Sequence, residues 1–145
     1  MSDEFILDSA FSNLNFKVGE LNLCYLFLNN NSIFPWIILV PKRSNVKEII
    51  DLSKEDQHLL IDEIDIMSKI MKKIFSPHKL NIAALGNVVS QLHIHIIARY
   101  NGDSCWPNAV FNGASQIYED EKKEAIINKI KKILREDYYE PSSFN

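Results

Sequence analysis

The run Leu92-His93-Ile94-His95-Ile96-Ile97 constrains the fold more than any other stretch of the chain. Its apolar members are Leu and β-branched Ile, which suit a pleated, half-buried strand. A strand sends alternate side chains to opposite faces. Leu92, Ile94 and Ile96 are therefore expected on a core face, with Gln91, His93 and His95 on the other. Same-face neighbours stand about 6.6–6.8 Å apart, so the three polar side chains form a row. Gly86 and Asn87 arrive just before them, where backbone can approach a ligand closely.

The remaining elements follow from punctuation and period. Phe16 to Glu20 and Leu21 to Leu28 read as two strands, followed by turn chemistry at Asn29-Asn30-Asn31-Ser32. Trp36 to Val40 is an apolar run stopped by Pro41 and reads as a buried strand. Ser53 stands three before Asp56, a capping-box-like pair opening a long helix. Along it Leu60, Ile64, Met67, Met71 and Ile74 recur at steps of three and four and predict one apolar stripe. Acidic residues crowd its start and Lys69, Lys72 and Lys73 its end, matching the helix dipole. Ser76-Pro77 stops it. Leu80 to Leu85 and Leu92 to Ala98 predict two more strands. Glu119 to Glu136 predicts a C-terminal helix with Ile126, Ile127, Ile130, Ile133 and Leu134 facing inward. Short links between neighbouring strands favour antiparallel pairing, so the expected class is α+β, with about five strands, one long helix and a C-terminal helix.

The 145 residues suit a single domain over 1–145. A net charge of −3, without a basic patch interleaved with aromatics, gives no reason to expect nucleic-acid binding. The longest apolar run, Trp36 to Val40, is too short to span a bilayer, so no membrane is expected as a partner. Met1-Ser2-Asp3-Glu4 lacks the basic-then-apolar order of a signal peptide. Cys24 and Cys105 make no disulfide framework, and a reduced, cytoplasmic setting is expected.

A histidine row on a strand face supports three chemistries. Neutral imidazole can attack phosphorus, while a second imidazole donates a proton and amide side chains stabilise the phosphate oxygens. Two imidazoles can instead hold zinc, with His58, His78, Asp103 or Cys105 as the missing ligand. The third reading is a pair of histidines on a solvated face.

The block from Leu85 to Pro107 resembles the histidine-triad superfamily of nucleotide hydrolases and transferases. Its signature is His-x-His-x-His followed by two apolar residues, preceded by Gly and a phosphate-binding polar residue. Here Gly86-Asn87 precedes, His93 and His95 match the second and third histidines, and Ile96-Ile97 match the apolar pair. Asn30-Asn31, Phe34-Pro35-Trp36 and the run Ile37 to Val40 with Pro41-Lys42-Arg43 are similar to the family's nucleotide-binding strand. The departure is Gln91, which stands where the first histidine belongs; it can donate and accept hydrogen bonds but cannot titrate. Followed by Cys105-Trp106-Pro107, this Gln-x-His-x-His form resembles a bacterial sub-branch.

The resemblance implies that His93 is the nucleophile, supported by His95 and Gln91. It places nucleotide contacts at Asn87 on the α-phosphate, at Ser90, and at one of Asn30 and Asn31 on the ribose, while the apolar wall for the base is expected from the strand Leu21 to Leu28 and from Ile33 or Phe34. It implies a purine nucleotide or dinucleotide substrate, dinucleoside polyphosphates and nucleoside phosphoramidates among the classes, cleaved at the α-phosphate. No cofactor or metal is expected. A homodimer is expected through the long helix and the Leu80 to Leu85 strand. The alternative reading is a nucleotide-binding protein with little or no turnover, and a zinc protein is a more distant one.

Overall fold

The computed structural model describes residues 4–139. Helix α1 (Ser9–Leu14) leads into strands β1 (Asn15–Glu20), β2 (Cys24–Asn29) and β3 (Trp36–Pro41). A single 3-10 turn precedes the long helix α2 (Lys54–Phe75). Strands β4 (Lys79–Ala83) and β5 (Ile94–Arg99) follow, then helix α3 (Asp120–Ile133), which runs into a π-helical turn. The strands form one sheet in the order β1-β2-β3-β5-β4, every neighbouring pair antiparallel. The expected α+β class is the one found. Helix α1 was not foreseen, because a six-residue helix shows too little periodicity to read.

The sheet separates two apolar layers. On one face Leu26, Leu28, Ile37, Leu39, Leu92, Ile94 and Ile96 pack against Leu60, Met67, Ile70 and Met71 of α2 and Ile127 and Ile130 of α3. On the other, Phe27, Trp36, Ile38, Val40 and Ile97 pack with Phe11 of α1, Phe34 and Val110. The alternation read along the histidine strand is the alternation observed.

Helix α2 starts where Ser53 caps it, its hydroxyl accepting the Asp56 N–H at 3.1 Å. Only this half of the capping box forms. The Asp56 carboxylate turns away to a two-pronged pair with Arg43, at 2.7 and 3.1 Å. The helix ends at Ser76, whose left-handed backbone (φ 46°) terminates the run before Pro77. Among the acidic residues of its first half, Glu63 is not solvated. It is 2% exposed and accepts the Leu23 and Cys24 N–H groups at 2.7 and 2.9 Å. Burial raises its pKa against the pull of those two bonds. This carboxylate ties α2 to the bend that opens β2. Glu63→Ala is expected to leave two buried N–H groups without partners, at about 1–3 kcal/mol each. A urea-unfolding midpoint unchanged from the parent would show that water or a neighbour replaces the carboxylate.

Candidate active site

Strand β5 presents His93 (just before it), His95, Ile97 and Arg99 to the second apolar layer. Both imidazoles are buried, His93 at 7% and His95 at 6% exposure, with ring centroids 4.8 Å apart. Their hydrogen bonds fix their proton positions. His93 Nδ1 lies 2.7 Å from the Gln91 carbonyl oxygen, which can only accept. The proton therefore sits on Nδ1, and Nε2 carries the lone pair. His95 has the opposite tautomer. Its Nδ1 accepts the Trp36 indole N–H at 3.0 Å, and its Nε2–H donates to the Leu85 carbonyl at 3.2 Å. Burial lowers the pKa of both rings; that of His95 is pushed down to about 4, burial being the main cause and the neighbouring His93 the next.

Aromatic edges and one glycine wall the pair in. Phe11 meets His93 edge-on at 4.9 Å, and Phe111 meets His95 at 5.0 Å. A Cβ on Gly86 would stand 2.7 Å from the Val89 carbonyl oxygen and 3.4 Å from the His93 ring, so only glycine allows this approach without a shift. Gln91 acts at two levels. Its carbonyl sets the His93 tautomer, while its side-chain amide holds the N-terminal segment: Oε1 accepts the Asp8 N–H at 3.0 Å and Nε2 donates to the Ile6 carbonyl at 2.9 Å. The side chain is thus committed to residues 6 and 8. Phe11, three residues on, then lies over His93.

The HIT domain family model matches residues 11–102, well over half of the chain. Three solved structures resemble it throughout. A histidine triad protein from Marinobacter aquaeolei is 37% identical with a TM-score of 0.88, covering 92% of this chain and 98% of its own. One from Bradyrhizobium japonicum is 36% identical with a TM-score of 0.87, over 90% and 98%. The Plasmodium falciparum diadenosine triphosphate hydrolase is 25% identical with a TM-score of 0.62, over 95% and 86%. No curated protein matches the chain. The chain belongs to the histidine-triad family.

The other residues that the histidine-triad resemblance pointed to are placed as follows. Asn87 and Ser90 are exposed in the loop before His93. Asn30 and Asn31 are turned to the segment before α3. Asn30 Oδ1 accepts the Tyr118 N–H at 2.9 Å, and Asn31, 6% exposed, bonds Gln116, Ala114 and Ile33. Phe34 is fully buried, with the Arg99 guanidinium 5.8 Å from its centroid. The side chain that shares the histidine face at the end of β2 is Asn29. It follows Tyr25 and Phe27 on that face and donates to Asn15 Oδ1 at 2.9 Å, while Asn15 donates to the Phe11 carbonyl at 2.9 Å.

Arg99 ends β5 but is not a solvated strand end. It is 1% exposed, paired with Asp103 at 2.8 and 3.0 Å and Asn81 at 2.8 Å, with Trp106 5.6 Å from the guanidinium. That pairing pushes the Asp103 pKa down to about 2. Among the described residues no group of three or more His, Cys, Asp and Glu side chains is placed to share a metal ion, and no helix is long and apolar enough to cross a membrane. The sequence reading gave Trp36 and Phe11 no contact with the histidines. The β3–β5 register (Ile38 opposite His95) and the fold of α1 bring them there.

The histidine-triad residues make stability depend on pH in a definite direction. The unfolded chain protonates His95 near its ordinary 6.5, whereas the folded chain holds it neutral to about 4. Its contribution is therefore complete above 6.5 and is lost as pH falls toward about 4. His95→Gln retains an acceptor for Trp36 and a donor for Leu85 but cannot titrate. Its urea midpoint is expected to fall less than the parent's between about pH 7 and about pH 4.5, and equal falls would contradict the assignment.

Proposed function

We propose that this chain is a nucleotide hydrolase or transferase that works at an α-phosphate through a nucleotidyl–His93 intermediate. The observation that carries the reading is the Gln91 carbonyl bound to His93 Nδ1, which leaves the Nε2 lone pair as the nucleophile. Attack forms a P–N bond and expels the leaving group with the electrons of the broken bond. The Nδ1–H stays on the Gln91 carbonyl and steadies the positive charge of the substituted ring. Water then attacks phosphorus and releases a proton to solvent, the P–N electrons return to Nε2, and the nucleoside monophosphate departs. The likeness to a diadenosine triphosphate hydrolase supports this chemistry.

In this reading Asn87 and Ser90, on the loop that Gly86 brings against His93, donate to the phosphate oxygens. Asn29 takes the ribose role that the resemblance put at Asn30 and Asn31, since it alone of the three stands on the histidine face. Tyr25 and Phe27 border the purine. His95 and Gln91 support the nucleophile rather than attack.

His93→Ala is expected to abolish turnover of diadenosine triphosphate while AMP still binds, measured by product release and calorimetry. Intact mass of the parent, quenched during turnover, should show an adenylyl adduct on His93. Undiminished turnover by His93→Ala would sink the assignment. Saturable AMP binding by the parent without turnover of any nucleotide would instead favour the nucleotide-binding reading.

We further infer a homodimer built on β4. Among the described residues this strand pairs only with β5, so its outer edge has no strand neighbour there; Ile82 on the strand and Leu85 just after it are exposed. An open edge carrying apolar residues is a surface that a second copy can cover. Sedimentation at tens of micromolar is expected to give twice the 16.8 kDa chain mass, and a 16.8 kDa species would remove the claim.

A further inference from the structure

The tautomer of His95 bears on which bonds this site can break. A general acid must hold a proton that it can release. His95 does not. Its Nδ1 lone pair is taken by the Trp36 indole N–H, and its Nε2 proton, on a neutral ring, lies on the Leu85 carbonyl. Protonating Nδ1 would set two N–H groups against each other at 3.0 Å. The His93 proton is held on the Gln91 carbonyl, and the Gln91 amide does not titrate and is bonded to Ile6 and Asp8. Asp8 spends its own carboxylate on the Ala10 N–H that caps α1. Among the described residues, the ring contacts of the pair are Phe11, Trp36 and Phe111, and Gly86 stands against His93; none of these carries an acid.

We propose that Trp36 sets the leaving-group specificity of the site: by holding His95 as a neutral acceptor it withholds the acid, so the site cleaves only bonds whose leaving group departs as a stable anion. The inference rests on the nucleotidyl–His93 reading. A bridging phosphoanhydride oxygen meets the condition. When the P–O bond breaks, the electron pair stays on a phosphate oxygen of the departing group, which needs no proton. A phosphoramidate nitrogen fails it, because an amine must take up a proton as the P–N bond breaks. Trp36 is a positioning residue here; it acts on the leaving group only through His95. The lowered pKa of His95 agrees with this arrangement.

The test compares kcat/KM for diadenosine triphosphate and adenosine 5′-phosphoramidate, across pH, in the parent and in Trp36→Phe. General acid assistance contributes on the order of 100- to 10,000-fold, so the parent is expected to favour the polyphosphate by about that margin. Trp36→Phe frees His95 Nδ1 to take a proton. Its phosphoramidate rate should rise relative to the polyphosphate rate, with a new dependence on a group titrating in the histidine range. A parent that cleaves both substrates equally overturns the proposal. So does a Trp36→Phe protein, folded by circular dichroism, whose substrate ratio and pH profile match the parent's. If Trp36→Phe does not fold, the parent's ratio still decides. Adduct formation on His93 is scored separately: its absence with every substrate removes the parent reading and this inference with it, whereas an adduct from both substrates at equal rates removes the inference alone.

Discussion

The register of β5 is the constraint on which the rest depends. The strand is held from both sides, with Ile38 and Ala83 opposite His95 and Ile37 and Ile82 opposite Ile96. A slip of one residue would turn two imidazoles into the layer that α2 covers and bring Ile94 and Ile96 to the site. The α2-facing layer is mainly Leu, Ile, Val and Met, so the imidazoles would there lose their present partners to mostly apolar neighbours. That cost adds to the apolar contacts in holding the register. Placement of the histidines and packing of the core are thus one choice, made by the same strand.

Burial also decides what the histidines can do. A ring kept from water must find partners for both nitrogens or leave one for substrate. His95 finds both within the chain, at Trp36 and Leu85. His93 finds one, at Gln91. That asymmetry leaves His93 Nε2, alone of the four ring nitrogens, without a hydrogen-bond partner among the described residues. The same carbonyl belongs to the residue whose amide docks residues 6 to 8, so the His93 tautomer and the wall formed by Phe11 depend on one backbone position.

Sequence made the sheet and its two faces readable, because period two along Leu92 to Ala98 and period three-to-four along α2 are properties of neighbours in the chain. Ser53 and Ser76-Pro77 marked the ends of α2 for the same reason. What stayed hidden depends on pairings across the chain. Glu63 looked like one more acid in a charged first half, and only the bend at Leu23 and Cys24 makes it a buried acceptor. The Asn29 to Asn31 run could not be ordered by residue type, since all three suit a turn; the strand's alternation selects Asn29 for the histidine face. Arg99 and Asp103 are four apart on a strand and its following loop, where no helical spacing announces a pair. Gln91 was noticed as a substitution in a row, but its partners Ile6 and Asp8 lie more than eighty residues away.

The depressed pKa values connect that burial to turnover. A histidine nucleophile must be neutral to attack and must then leave phosphorus. Lowering its pKa increases the neutral fraction at mildly acidic pH, and it weakens the bond the ring makes to phosphorus, so the second step gains. The first step loses some nucleophilic strength, and the Gln91 carbonyl offsets this by accepting a hydrogen bond from Nδ1–H that strengthens as positive charge develops on the ring. Phe11 and Gly86 supply the desolvation, Gln91 supplies the compensating bond, and all three act on the same imidazole. A more exposed His93 would be the stronger base and the poorer leaving group. In the proposed reaction, the groups around His93 therefore tune the balance between forming the covalent intermediate and resolving it.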